Sequence, residues 1–293
     1  MSEISANLRT DAVIADPSAS GRTAPGRPAA RPQRRPRRRP MPGPIVLTAL
    51  QAALFAALII AWYVLVRAKA LPVFFFGDPV LVFQQIVSWF VTGEIFVHLA
   101  TTLIETLLAF LLGVASGIGI GLWLGLSPLT AALFDPYIKA LNAMPRVILG
   151  PIFIVWFGLG IGSKVALGVT LVFFVVFFNV FQGVREVNPV ILANSRMLGA
   201  NRRQLLTTVY IPSALSWVFS SLHMSVGMAF VGAVVGEYLG SARGVGYLIL
   251  QAEATFDVNA VFAGIIVLTI FALVLDLAVT LVEKRLIVGK PKS

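Results

Sequence analysis

Ile45–Val66 runs 22 residues without a charged side chain, and no other feature constrains the chain as strongly. At 1.5 Å per residue the segment can cross a bilayer core of about 30 Å. It is too long for the apolar region of a signal peptide and has no clear small-residue cleavage site, so it reads as a retained anchor. Further spanning candidates come at about 98–126, 130–158, 163–183, 213–238 and 259–283. In hydrocarbon, backbone polar groups must be satisfied internally, and segments of this length do so as helices. The pattern predicts an all-α membrane protein with about six transmembrane helices. Composition agrees: 58% hydrophobic and 12% charged residues, with mean hydropathy +0.89, exclude an ordinary soluble domain. Cysteine is absent, which excludes disulfide frameworks and thiol chemistry, and two histidines make a histidine-rich metal centre a poor reading.

The charge is concentrated. Residues 1–44 hold nine arginines and eight prolines, a composition that predicts a disordered tail. Next to an apolar span it reads as a solvated, orienting segment or a tether to anionic lipid; nucleic-acid binding is the rival reading, and no nucleic-acid partner is expected. With the N-terminus cytoplasmic, 17 Lys and Arg lie inside and only Arg67, Lys69, Lys164 and Arg243 outside. The positive-inside rule therefore predicts both termini in the cytoplasm. Residues 67–97 then form an extracytoplasmic linker with an amphipathic piece at Val80–Val91. Residues 98–287 form the core, and 288–293 a short C-terminal tail.

The largest cytoplasmic loop, 184–212, is not built like a flexible linker. Asn188-Pro189 is a helix start. Ile191, Leu192, Ser195 and Leu198 follow at helical spacing, and Gly199 suits a left-handed stop. Asn201 can cap a second short helix through Arg202, Arg203, Leu205, Leu206 and Val209, with Pro212 closing it at the membrane. From these features alone the loop is either a docking knob for a partner or a hairpin lying in the lipid interface.

Inside the membrane, Gly113, Gly117, Gly121 and Gly125 recur every four residues. They leave one helix face smooth for close packing. The same helix carries His98, Thr101, Thr102 and Glu105 as a polar stripe. Intramembrane charges usually face a cavity or a partner; they are Glu105, Asp135, Lys139, Arg146, Glu237 and Asp276. Asp135 and Lys139 are spaced for an ion pair. Pro145 breaks a helix beside Arg146, so Met144–Arg146 is a candidate part of a translocation path, where the cation would suit a small oxyanion. Ser216, Ser220, His223 and Gly227 form a second candidate lining, and Glu237 a candidate gate. No catalytic constellation appears. Gly158-Leu-Gly-Ile-Gly-Ser-Lys164 breaks the order of a phosphate-cradling loop.

Loop 184–212 resembles the signature loop of ABC-importer permeases: Glu-Ala-Ala, three residues, Gly, nine residues, then Ile-x-Leu-Pro. Gly199, nine residues and Val209-Tyr210-Ile211-Pro212 match the spacing, with Ala193, Asn194 and Ser195 at the Glu-Ala-Ala positions; no acid is present there. Ala143-Met144-Pro145 with Pro151–Gly158 resembles the family's third core helix. Gly236–Gly240 with Gly244–Ile249 resembles the segment after its fifth. The resemblance covers about residues 70–287 and points to the subfamily importing nitrate, sulfonates, taurine and bicarbonate. It implies a type I importer permease fold, a homodimer of permeases in a bacterial inner membrane, two cytoplasmic ATPase subunits that bind the ATP, and an extracytoplasmic binding protein. It also implies that Ala193–Ser195, Leu198, Gly199, Ala200, Arg202, Arg203, Val209 and Pro212 couple to the ATPase, and that the chain is not itself an enzyme and holds no cofactor. The expected substrate is a sulfonate or taurine, with nitrate, bicarbonate or a vitamin-precursor heterocycle as alternatives. A self-contained secondary transporter is the alternative of another class.

Overall fold

The computed structural model describes residues 43–287, so the arginine-rich tail, apart from Gly43 and Pro44, and the tail 288–293 lie outside the described residues. The chain divides into a first unit ending at Gln51 and a second from Ala52 onward. The helices are α1 (Pro44–Arg67), α2 (Val73–Phe76), α3 (Pro79–Thr92), α4 (Glu94–Leu126), α5 (Pro128–Ala143), α6 (Gly150–Phe157), α7 (Ile161–Arg185), α8 (Pro189–Met197), α9 (Arg202–Leu205), α10 (Ile211–Leu239), α11 (Val245–Ala254) and α12 (Val258–Ile287). No strand occurs among the described residues.

The core is α4, α7 and α10. A Cβ added to Gly113, Gly117, Gly121 or Gly125 would meet Val172, Val176, Val180 or Val184 at 2.6, 2.8, 2.9 and 2.9 Å. Each glycine of α4 thus receives one valine of α7, in step and in the same direction. The two helices run parallel at backbone-to-backbone distance, and dispersion between them replaces the hydrophobic drive that lipid removes. α7 also packs antiparallel to α10, and α10 packs on α4 as well. A Cβ at Gly183 would meet Trp217, one at Gly232 would meet Gly168, and one at Gly236 would meet Lys164.

Parallel α4 and α7 require the chain to return between them, and α5 and α6 do so across an 88° bend. Met144 is extended (ψ 133°) because Pro145 follows it, and Pro145 itself opens a 3-10 turn at Arg146–Leu149. The expected span at 130–158 is therefore a broken one. Among the described residues six helical segments are long and apolar enough to cross a membrane, and Val73–Thr92, made of α2 and α3, is one of them. Of that stretch, α3 packs Val82 and Trp89 against Ile95, Val245, Leu248, Ala263 and Val267. Asp78 caps α3 through Val80 N–H (2.8 Å), and its own N–H donates to Asn259 Oδ1 at the start of α12 (2.8 Å). Asp78 also pairs with Arg67 at 3.7 Å.

Large apolar side chains cover the outside of these helices, among them Leu111, Leu129, Val155, Leu273 and Leu277. An apolar exterior on helices of this length fits hydrocarbon, not water.

Candidate functional site

The loop end of the core is built from local hydrogen bonds. Asn188 Oδ1 accepts from Val190 N–H at 2.8 Å, with Pro189 in the first turn of α8. The helix stops in a Schellman motif: Gly199 N–H donates to Arg196 O (2.9 Å) and Ala200 N–H to Ser195 O (3.0 Å). Gly199 takes φ +82°, a conformation that costs residues with a Cβ. Asn201 and Gln204 then form a reciprocal capping box, at 2.8 and 2.9 Å, that opens α9. Between the two helices Met197 and Leu198 are 86% and 88% exposed, while Ala193, Asn194, Arg202 and Arg203 lie exposed on either side. Past α9 the chain makes a π-helical turn, Leu206–Tyr210, that runs directly into α10. Pro212 sits in the first turn of α10; the expectation that it closes the second loop helix is corrected. The apolar tip is thus joined to a core helix without a flexible break.

The opposite end of the core holds a buried polar cluster. Glu105 of α4, Lys164 of α7 and Glu237 of α10 are all essentially inaccessible. Thr102 Oγ1 donates to Glu237 Oε1 at 2.6 Å, and Gly246 N–H donates to Glu237 Oε2 at 2.7 Å. Val245 N–H donates to Thr102 Oγ1 (3.2 Å), and Gly244 N–H to His98 Nδ1 (3.0 Å). The Glu105 carboxyl abuts that of Glu237, and Lys164 is the cation that both feel. Lys164 Nζ also donates to Leu159 O (2.5 Å) and Gly160 O (3.1 Å) in the turn before α7. Buried charges persist when paired and hydrogen-bonded; here Glu237 and Lys164 are hydrogen-bonded across α4, α7, α10 and α11, while Glu105 Oε2 has no hydrogen-bond partner. Gly244, at φ +108°, makes the approach possible: a Cβ there would lie 2.1 Å from the Glu237 carboxyl carbon. A recess of about 250 Å³ beside the cluster is lined by Thr101, Glu105, Gly160, Ser241 and Arg243 among others.

The expected path residues separate into distinct places. Glu105 and Glu237 meet in the buried cluster. Met144, Pro145 and Arg146 form the bend. There Arg146 hydrogen-bonds Asn142 and stacks its guanidinium 4.4 Å from the Phe174 ring centroid. His223 pairs with Asp276 of α12 at 2.6 Å, beside a recess of about 290 Å³ between α10 and α12. The side chains of Ser216 and Ser220 lie outside the described residues. Asp135 and Lys139 form their ion pair at 2.6 Å. Two partners were not legible in the sequence. Lys164, counted there as a loop residue, is in the first turn of α7, and Phe174 is one of several phenylalanines with nothing in the pattern to single it out.

Long lipid-facing helices, a buried polar cluster at one end and an exposed two-helix loop at the other define a multi-pass helical membrane protein. Comparison with known proteins specifies it further. Residues 117–288 match the model of the family described as binding-protein-dependent transport system inner membrane component. An aliphatic sulfonates transport permease protein, SsuC, of Bacillus subtilis is 33% identical over 78% of this chain and 83% of its own length. The taurine transport system permease protein TauC of Escherichia coli is 28% identical over 78% of this chain and 85% of its own length. Among solved structures, an inward-facing MetNI methionine ABC transporter aligns with TM-score 0.56 and 16% identity over 64% of this chain and 94% of that one, which shows the fold, that of type I importer permeases. The chain belongs to the family of binding-protein-dependent transport system inner membrane components.

Proposed function

We propose that the chain is the membrane-spanning subunit of an ATP-driven importer for a small oxyanion, with a sulfonate or taurine as the favoured substrate. In this reading it works as a homodimer in a bacterial inner membrane, both termini cytoplasmic. Two separate ATPase subunits bind and hydrolyse ATP, and an extracytoplasmic binding protein delivers the substrate. The sulfonate and taurine permeases among its relatives support the substrate class. Nitrate and bicarbonate remain alternatives. So does a vitamin-precursor heterocycle, since other relatives are named for formylaminopyrimidine and riboflavin.

The observation that carries the proposal is the exposed Met197–Leu198 tip on a rigidly capped pair of helices. Two large apolar side chains presented to water at that position need a partner pocket to be retained at no cost in solubility. ATP-driven closure of the ATPases would push on this tip. The π-helical turn would pass the motion to α10, and the core would alternate between inward- and outward-facing states.

The test is co-purification of the tagged chain from its native host in mild detergent. Wild type brings down an ATPase subunit. Leu198→Asp and Gly199→Asp lose at least nine-tenths of it and abolish uptake while still inserting in the membrane. A chain that purifies alone and transports without ATP is a secondary transporter, and the proposal then fails.

A further inference from the structure

The buried cluster sets two carboxyls against one lysine, and its charges do not cancel as they stand. Glu105, Glu237 and Lys164 are 1%, 0% and 0% exposed. With both acids ionised the protein interior would hold one uncompensated negative charge, which is costly there. Lys164 gives its hydrogen bonds to Leu159 O and Gly160 O, so it acts on the acids through its charge alone. The remaining titratable or charged groups on the elements around Glu105 stand further off. Arg243, in the loop after α10, is exposed. His98, two turns away on α4, is hydrogen-bonded to Gly244 and stacked on Tyr247 of α11.

The two acids differ in what surrounds their oxygens. Both oxygens of Glu237 accept a hydrogen bond, Oε1 from Thr102 and Oε2 from Gly246 N–H, which suits an ionised carboxylate. Glu105 has no such support, and its buried Oε2 lacks any partner. A carboxylate ion can only accept, so without donors it would be left bare. A protonated carboxyl has an O–H to give, and the Glu237 carboxylate that it abuts is the acceptor at hand. Two carboxyls in contact hydrogen-bond only when one proton lies between them. With that proton the cluster is neutral: one anion, one lysine and one uncharged acid. Glu105 also lines the recess of about 250 Å³ together with Thr101, Ser241 and Arg243. Ala242 and Arg243 on the same recess are exposed, so water can reach the acid from that end of the core.

We infer that Glu105 is a proton-binding site: it holds one proton, donates it in a hydrogen bond to Glu237, and exchanges it with water through the recess bounded by Thr101, Ser241 and Arg243. The bond joins α4 to α10. Losing the proton breaks the Glu105 O–H and leaves two anions in contact beside a single lysine, so the clasp holds at low pH and loosens as pH rises. That the recess opens to the extracytoplasmic side rests on the importer reading above; the proton itself does not.

The test uses the full-length chain in a detergent without ester groups. Infrared spectra read the carbonyl stretch of a protonated carboxylic acid, which is separate from the bands of ionised carboxylates. Wild type at neutral pH shows this band, heavy water shifts it, and Glu105→Gln removes it. Glu105→Gln keeps a donor toward Glu237 and has no proton to lose. It therefore melts within about 2 °C of wild type at neutral pH, while Glu237→Gln melts lower by about 4 °C or more. Between about pH 7 and about pH 9.5 the wild-type midpoint falls further than that of Glu105→Gln, because every other group titrates alike in the two. No acid band in wild type, a band that survives Glu105→Gln or that heavy water leaves unmoved, or parallel pH curves overturns the inference. So does a midpoint raised by sodium chloride and not by choline chloride only when Glu105 is present, since a metal ion would then hold the place of the proton. Glu105 and Glu237 are the only buried acids among the described residues, so the wild-type band reports on this pair even if a variant fails to accumulate. None of these readings involves the ATPase: a missing band sinks the proton site alone, and a chain that co-purifies with no ATPase sinks the importer reading alone.

Discussion

The two ends of the α7–α10 pair are held by opposite kinds of bond. At the loop end the hydrogen bonds that shape α8 and α9 join residues two to five positions apart: Asn188 with Val190, Ser195 with Ala200, Asn201 with Gln204. At the far end they join Thr102 to Glu237 across 135 positions and His98 to Gly244 across 146. The loop is therefore shaped by its own sequence, and it can present Met197 and Leu198 outward with no support from the core. The far-end cluster has no shape until four helices are in place. An element that must be recognised by another protein is best made self-sufficient. One that must hold helices together, and release them if they move, is best made of their mutual contacts.

Substitutions can break this contrast in order of severity. Glu237→Ala has the largest expected effect. It leaves the Gly246 N–H and Thr102 hydroxyl without their acceptor and removes a carboxylate charge that acts on Lys164. Removing one member of a buried charge cluster costs about 3–5 kcal/mol. Thermal unfolding in detergent then shifts strongly downward or the chain fails to accumulate, and Glu237→Gln loses less because it still accepts from Thr102. If Glu237→Ala melts like wild type, the cluster does not clasp the helices.

Gly117→Val comes next. Even its Cβ would lie 2.8 Å from Val176 and 3.0 Å from Phe173 O, an overpacking expected to cost about 1–3 kcal/mol. Combining Gly117→Ala with Val176→Ala recovers most of what Gly117→Ala alone loses. A double-mutant cycle checks this, and additive losses would mean that α4 and α7 do not meet at this register.

The smallest effect is that of Asn201→Ala. It removes the capping box and costs about 1 kcal/mol, confined to the loop. Hydrogen exchange accelerates over 188–205 with no change in the melting temperature of the core. A drop in the global melting temperature would refute the independence of the two ends.

What was legible in the sequence follows the same division. Asn188-Pro189, Gly199 and Asn201 were readable because capping chemistry acts within a few residues, and the structure places each in the role its residue type favours. The glycine repeat at positions 113–125 announced close packing, since only the absence of side chains permits it. It could not say that Val172, Val176, Val180 and Val184 fill the gaps, because valine at four-residue spacing is common on apolar helices. The reading of Pro212 erred for a related reason. Proline ends one helix and begins another equally well, and only the π-helical turn before it settles which.

The sequence by itself determined that this chain lives in a bilayer, since an apolar run of 22 residues has no other stable environment, and that its main loop is two capped helices, since capping is local. Tertiary structure alone decided that α4 and α7 run parallel with α5 and α6 returning between them. It also decided that Glu105, Lys164 and Glu237 form one cluster, and that Arg146 comes to lie over Phe174. Those are relations between residues tens to more than a hundred positions apart, and a linear pattern carries no information about which of many compatible apolar faces will meet.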